Sequence, residues 1–394
     1  MLKYKKFTVK DFGDVVTGST PSTTKVDYWN GDIPFYSPAD FTENIYCYST
    51  EKTITELGLK QGRTIPTNSV MVTCIASIGK MAINNRIGIT NQQINTIIPY
   101  EQFDYKYLYY LINQNIYKLV NIAPQTAVPI INKTEFEKTS IIGLLDKTQQ
   151  KKIADILSTC DEVIEKTEDT IEKYKQIKAG MMQDLFTRGL DENGKLRPSC
   201  KQAPDLYKYS PELDRYIPKE WDVKPLEKFS TILSGKDYKN NPKGNNNIPI
   251  YGTGGIMGYT TTPLYSGPAV LTGRKGSINH PYYVEGDFWN VDTIFCLKML
   301  DDNIALWFYY QIYITDMTKY NEATGVPSTT SKTLNKILFA VPKSSEQIKI
   351  ANSITKFDLK IKAEEQYLNK YKQIKKGLMK RLLTPPADAE IVEE

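Results

Sequence analysis

The sequence predicts an α+β protein built as an internal repeat, each half a globular domain followed by one long helix. Three observations predict it. The hexapeptide Lys173-Tyr174-Lys175-Gln176-Ile177-Lys178 recurs letter for letter at Lys370-Tyr371-Lys372-Gln373-Ile374-Lys375. Two stretches of about 40 residues carry apolar side chains at alternating spacings of four and three. The remainder consists of short β-branched and aromatic runs bounded by Gly, Pro and Asn.

The repeat comes first, because a fixed offset constrains every later assignment. Gln150, Ile153 and Ala154 match Gln347, Ile350 and Ala351 at the same offset, and Gly180-Met181-Met182 matches Gly377-Leu378-Met379. Earlier in each half the offset drifts as loops differ: Ser77-Ile78 matches Ser277-Ile278, and Ala127-Val128-Pro129 matches Gly325-Val326-Pro327. Val9-Lys10-Asp11-Phe12 resembles Val223-Lys224-Pro225-Leu226. Matches that keep one order along the chain indicate a duplication.

The globular parts span 1–146 and 223–343. In the first, Asn68–Ile75 reads as a strand; Tyr105–Asn115 and Ile304–Ile314 read as helices. The helices follow at 147–188 and 344–383. Their seams are Ile153, Leu157, Cys160, Ile164, Thr167, Ile171, Tyr174 and Ile350, Ile354, Phe357, Ile361, Glu364, Leu368, Tyr371. Such an a/d pattern suits a coiled coil about 60 Å long, with a core helix inside a bundle as the other reading. Residues 189–222, rich in Gly, Pro, Asn and Asp, read as a linker laid over the surface. Residues 384–394, with Pro385-Pro386 and four acids, read as a frayed acidic tail.

Composition narrows the function. The chain has 394 residues, 40% hydrophobic and 24% charged, with a formal net charge of +5. The excess is local: residues 344–383 hold ten Lys/Arg against four Asp/Glu, and 223–343 hold twelve against nine. Such a distribution suits a phosphate backbone, although a solvated helix face would look the same. Cys47, Cys74, Cys160, Cys200 and Cys296 form no CxxC pair, which argues against a zinc module and a secreted disulfide framework and for a reducing cytoplasm. No apolar run approaches the roughly 18 residues of a membrane span, and the start lacks the apolar core of a signal peptide.

Catalytic motifs are scarce. A Ser/His or Cys/His system would have to use His280, the single histidine, which sits between Asn279 and Pro281 in a turn-like setting. The Gly-Lys pairs at Gly79, Gly194 and Gly235 lack the following Ser or Thr of a P-loop. Tyr251-Gly252-Thr253-Gly254-Gly255 lacks the strand-to-helix setting of a dinucleotide fingerprint. Binding chemistry is richer. Base edges are read by Asn, Gln, Arg, Lys, Ser and Thr. These concentrate in the first half at Ser77, Lys80, Asn91, Gln92, Gln93 and Asn95, and in the second at Arg274, Lys275, Ser277, Asn279 and Asn290. Polar turns of an α+β domain would give the same composition.

The order globular part, long helix, linker, globular part, long helix resembles the specificity subunits of type I restriction–modification systems. The resemblance covers essentially the whole chain. It is carried by Gln61-Gly62-Arg63-Thr64-Ile65-Pro66 leading to Ser77-Ile78-Gly79-Lys80, and by Thr272-Gly273-Arg274-Lys275-Gly276-Ser277-Ile278. The stretch from Gly189-Leu190-Asp191-Glu192-Asn193-Gly194-Lys195 to Ile217-Pro218-Lys219-Glu220-Trp221 adds to it. Asn279-His280-Pro281 departs from the glycine that often follows in the family.

The resemblance implies two target-recognition domains joined by two antiparallel coiled-coil helices with a pseudo-two-fold repeat. Each domain would read one half of a bipartite, asymmetric double-stranded DNA target, and the helices would set the spacer. It further implies a non-catalytic cytoplasmic subunit without a cofactor of its own, partnered by two methyltransferase subunits and, in systems that have one, a restriction/translocase subunit. S-adenosylmethionine, ATP and magnesium would belong to those partners. A coiled-coil scaffold that binds no DNA is the alternative.

Overall fold

The computed structural model describes residues 3–123, 128–239 and 247–392. Ala127 of the repeat lies outside them. The chain divides into two compact units, Met1–Ile171 with Glu364–Glu394, and Glu172–Ala363. Each unit therefore owns one globular head, the first part of one long helix and the last part of the other.

In the first unit, Tyr4–Thr8 pairs antiparallel with Ser140–Leu144. A five-stranded sheet runs Gly13–Thr17, Ile94–Pro99, Val70–Thr73, Met81–Asn84, Tyr46–Cys47. Its Val70-Met71-Val72-Thr73 strand is buried along its whole length, as a β-branched run between two neighbours should be. A four-stranded sheet runs Lys52–Ile54, Trp29–Tyr36, Gly88–Thr90, Thr64–Ile65. The head helix Tyr105–Gln114 starts at Asp104, whose carboxylate accepts the Tyr107 N–H at 2.9 Å, and buries Tyr107–Ile112 in the core.

The second unit repeats this strand order, without a counterpart of the edge strand Tyr46–Cys47. Asp222–Pro225 pairs with Leu338–Val341. One sheet runs Ser230–Ser234, Ile294–Met299, Ala269–Gly273, Tyr282–Val284, and the other Gly255–Thr260, Ile248–Gly252, Asp287–Asn290, Tyr265–Ser266. Even the single parallel pairing of the second sheet recurs, Phe35 opposite Ile89 and Ile250 opposite Trp289. The topology also corrects one sequence match. Val9–Phe12 corresponds to Leu226–Phe229, three residues later than the matched letters. In both heads this turn leaves the first strand, and Val9, Phe12, Leu226 and Phe229 are all buried. Burial of that turn, not letter identity, is what duplication preserved.

The long helices span Lys147–Leu185 and Ser344–Leu383. A buried glutamine ties each to its head. The Gln150 amide donates to the Leu144 carbonyl at 2.8 Å and accepts the Asp104 N–H at 2.9 Å. Gln347 donates to the Pro342 carbonyl at 2.9 Å and accepts the Ile304 N–H at 2.8 Å. Both amides are thus satisfied without water, the condition for burying them. Beyond the latch, Ile153, Ala154 and Leu157 join the first core together with Leu378, Met379, Leu382 and Leu383. Ile350, Ala351 and Ile354 join the second with Met182, Leu185 and Phe186, the last ring 5.4 Å from Trp307.

Within each unit the two helix segments run antiparallel. In the first, Lys372 pairs with Glu168 at 2.7 Å and Lys375 with Asp161 at 2.5 Å. In the second, Lys178 pairs with Asp358 at 2.5 Å, and the Tyr174 ring meets Phe357 edge-on at 6.3 Å. Along the seam Ile153, Leu157, Ile164, Ile171, Ile350, Ile354 and Ile361 are buried, whereas Tyr174, Phe357, Leu368 and Tyr371 are half-buried.

Two segments are more structured than their composition predicts. The linker is anchored within the second unit: Arg197 grips Glu346 bidentately at 2.6 and 3.1 Å, the Leu190 N–H donates to the same carboxylate at 2.8 Å, and Trp221 is buried beside it. A hairpin of Tyr207–Ser210 and Arg215–Pro218 completes it. The tail is not frayed throughout, since Ile391–Val392 adds to Tyr4–Lys5 as a parallel strand. Turn-rich composition marks where regular helix stops; it carries no information on which partner surface then captures the segment.

Removing the Glu346 carboxylate takes the bidentate partner from a buried guanidinium, leaving it Glu220 at 3.2 Å and the Arg188 carbonyl at 3.3 Å. Glu346→Ala is expected to destabilise the second unit by about 3 kcal/mol, and Arg197→Met with Glu346→Leu to recover part of that, as read by denaturant unfolding. Gln347→Leu, which orphans a buried N–H and a buried carbonyl, is expected to cost about 2 kcal/mol in the same measurement.

Candidate nucleic-acid interface

In the first head the strand Gly13–Thr17 ends at Gly18, where a Cβ would stand 2.0 Å from the Asn91 carbonyl oxygen. Only glycine lets the chain lie so close to the 90–94 turn, where the Ser19 N–H donates to the Thr90 carbonyl at 2.8 Å. That contact sets down the hydroxyl-rich loop 19–24. Arg63 then packs against it, donating its side chain to the Thr17 carbonyl at 2.8 Å and its N–H to Ser19 Oγ at 3.1 Å. The Thr20 hydroxyl donates to Gln92 Oε1 at 2.7 Å. A guanidinium, an amide and several hydroxyls are thereby gathered on one exposed edge.

The second head repeats the device with other side chains. A Cβ on Gly235 would stand 2.0 Å from the Val291 carbonyl oxygen, and the Lys236 N–H donates to the Asn290 carbonyl at 3.0 Å. The chain leaving Gly235 carries Lys236, and the next residues, Asp237, Tyr238 and Lys239, border a shallow cleft with Thr253, Asp292 and Thr293. Arg274 flanks that cleft, its guanidinium 5.8 Å from the Phe295 ring and 3.3 Å from the Asp292 carbonyl. The Gly276 N–H donates to the Pro327 carbonyl at 2.8 Å and Lys275 bridges to Ser328. In the first head the Ala76 N–H donates to the Pro129 carbonyl at 3.0 Å and Ile75 bridges to Ile130. One backbone position thus carries Cys74-Ile75 in one head and Arg274-Lys275 in the other.

The candidate residues fall into groups. Ser77, Lys80, Gln92, Arg274, Lys275, Ser277 and Asn279 are exposed. Asn91 and Gln93 are half-buried and bonded to one another, the Asn91 amide to Gln93 Oε1 and the Gln93 N–H to Asn91 Oδ1, both at 3.0 Å. Asn95 and Asn290 are buried and serve the fold. The Thr17 hydroxyl donates to Asn95 Oδ1 at 2.6 Å, and the Asn290 amide donates to the Ile294 carbonyl at 2.9 Å. Both sit in or beside the central strands, where a polar side chain faces inward. Arg63, Thr20, Lys236, Tyr238 and Lys239 were not singled out as candidates. For Thr20 the available signal is the run Gly18-Ser19-Thr20-Pro21-Ser22-Thr23-Thr24 after a strand-like stretch, and Arg63 stands in the Gln61–Pro66 stretch that carries the family resemblance.

This surface offers donors and acceptors rather than a nucleophile. Burial pushes the thiols of Cys47 and Cys74 up to about 11 and that of Cys296 up to about 12, which keeps them as thiols. Among the described residues no group of three or more His, Cys, Asp or Glu could hold a metal ion, and no helix is long and apolar enough to cross a membrane.

The model of the type I restriction modification DNA specificity domain matches twice, over residues 1–176 and 218–373. The type I restriction enzyme MjaIX specificity subunit of Methanocaldococcus jannaschii is 32% identical over 235 residues, 58% of this chain and 52% of that protein. The chain thus matches about half the length of that relative. The EcoprrI specificity subunit of Escherichia coli is 23% identical over 358 residues, 86% of this chain and 84% of that one. Among solved structures, the S subunit of a type I restriction–modification system from M. genitalium superposes with a TM-score of 0.66 at 18% identity, covering 98% of this chain and 97% of the other. A chain from a structure concerned with complex assembly of the type I R-M system gives 0.53 at 11% identity. With two domain matches spanning most of its length and the same fold in both heads, this chain belongs to the type I restriction–modification DNA specificity family.

Proposed function

We propose that the chain is the subunit that reads a bipartite double-stranded DNA target, one part with each head, while the two long helices set the spacer between the parts. The observation that carries this reading is the duplicated scaffold with unlike polar edges. A repeat that conserves strand order and glycine approach, yet exchanges Cys74-Ile75 for Arg274-Lys275, suits two readers of different sequences. Rigid separation of two reading heads fixes half-site spacing. The excess of lysine on the C-terminal helix and second head supplies the attraction to phosphate.

The subunit reads and does not catalyse. Methyl transfer falls to methyltransferase subunits, two of which find equivalent surfaces on the repeated chain, and a restriction/translocase subunit joins where the system has one. S-adenosylmethionine, ATP and magnesium are assigned to those partners, and the complex acts on DNA in the cytoplasm. Because a base must leave the duplex to be methylated, the heads would hold the flanking DNA while the partner reaches it.

Methylome sequencing of a host expressing the chain with its methyltransferase supplies the target. Binding of the complex to that target is expected to weaken steeply with salt; no salt-dependent binding to bipartite DNA would leave the scaffold reading in its place. Arg274→Ala is expected to lose about 1–3 kcal/mol at one half-site only, measured by titration against single-base variants, whereas a uniform loss would make Arg274 a phosphate contact. Ile164→Asp with Ile361→Asp, which puts charge into the helix seam, is expected to abolish binding to the intact site. Unchanged affinity and spacer preference would refute the ruler.

A further inference from the structure

The duplicated hexapeptide ends on Lys178 and Lys375, and both lysines meet the same aspartate and tyrosine partners, Lys178 having the Tyr313 ring at 5.2 Å in addition. Lys375 Nζ lies 2.5 Å from Asp161 Oδ1, and the Tyr110 hydroxyl donates to Asp161 Oδ2 at 2.5 Å. Lys178 Nζ lies 2.5 Å from Asp358 Oδ1, and the Tyr310 hydroxyl donates to Asp358 Oδ2 at 2.6 Å. Each ammonium also stands over its tyrosine ring, 5.7 Å from the Tyr110 centroid and 5.5 Å from that of Tyr310. The aspartates share the lysines' repeat offset, and the tyrosines occupy equivalent turns of the two head helices.

The three groups come from three elements. Tyr110 belongs to the first head, Asp161 to the helix that follows that head, and Lys375 to the helix that follows the other head. The second cluster exchanges the roles. We propose that these are crossed clamps: the end of each long helix holds the head of the opposite half, which makes Lys375, Lys178, Tyr110 and Tyr310 positioning residues for half-site spacing. Its spacing part rests on the reading of the heads as DNA readers; its mechanical part does not.

The chemistry suits a rigid joint. A carboxylate that takes an ammonium on one oxygen and a phenol on the other is fixed in rotation, and both bonds are charge-assisted. Burial and the adjacent aspartate push both phenols above their ordinary range, so each remains a donor at every physiological pH. The lysine is oriented by its ring as well as by its carboxylate. Core packing alone would permit small rocking of the head helix on the seam. The clamp opposes it, since any shift of Tyr110 against Lys375 breaks a short bond on each side of Asp161.

The test uses the full chain with its methyltransferase. Hydrogen exchange is followed by mass spectrometry over 105–114 and 305–314 in Lys375→Met, Lys178→Met, Tyr110→Phe and Tyr310→Phe. Lys375→Met and Tyr110→Phe are expected to speed exchange at least tenfold in 105–114 and leave 305–314 unchanged; Lys178→Met and Tyr310→Phe do the reverse. Lys375→Arg, which keeps the charge, restores protection. Loosening of the head of the lysine's own half, or of both heads equally, overturns the crossed clamp. On the methylome-defined target, wild type is expected to discriminate against a spacer changed by one base pair, and Lys375→Met to lose most of that discrimination while each half-site retains its base preference. Unchanged discrimination beside altered exchange overturns the spacing role. Should wild type itself show no spacer preference, the DNA reading fails, and the exchange pattern still decides the clamp.

Discussion

The structure depends on an apolar seam that neither long helix can satisfy alone. A helix of about 40 residues with a one-sided stripe is unstable in water until that stripe is covered. Here each helix has its first part covered in one compact unit and its last part in the other. Ile153 and Leu157 pack in the same core as Leu382 and Leu383, and Ile350 and Ile354 in the same core as Leu185 and Phe186. Neither half of the chain can therefore complete its own core. The duplication yields two units that each draw on both long helices, although the sequence lays out its heads one after the other.

The buried glutamines show how the heads are referenced to this seam. Gln150 and Gln347 each join the first turn of a long helix to the end of the last strand and to the start of the head helix. A buried amide tolerates little displacement, because losing either bond exposes the full desolvation cost. The polar edges of the heads stand on the opposite kind of chemistry. They hang from Gly18 and Gly235, where close backbone approach fixes the path while the following side chains are free to differ. Repeated mechanics and divergent chemistry thus occupy different parts of one duplicated scaffold.

Much of this was legible beforehand, because periodicity and repetition are local properties of a chain. The seam residues, the head helices and the strand at Val70–Thr73 stand where their patterns place them. The site was less legible. Asn95 and Asn290 have the right chemistry for reading a base but face inward, and one-dimensional sequence does not reveal facing in a strand buried on both sides. Arg63 lies far in sequence from Thr17 and Ser19, as Thr20 does from Gln92, and these contacts form only in the folded head, where Gly18 brings the strand end against the 90–94 turn.

The sequence by itself determined the repeat, the two seams, the fold class and the absence of a recognisable catalytic set. These follow from residue type and spacing, which act over a few turns or strands. Tertiary structure alone decided that the linker is anchored through Arg197 and Glu346, that the tail returns as a strand beside Tyr4, and that each Tyr–Asp–Lys cluster draws its lysine from the opposite half. Such contacts join residues more than a hundred positions apart. Their partners are chosen by which surfaces the seam brings together, and no local pattern encodes that choice.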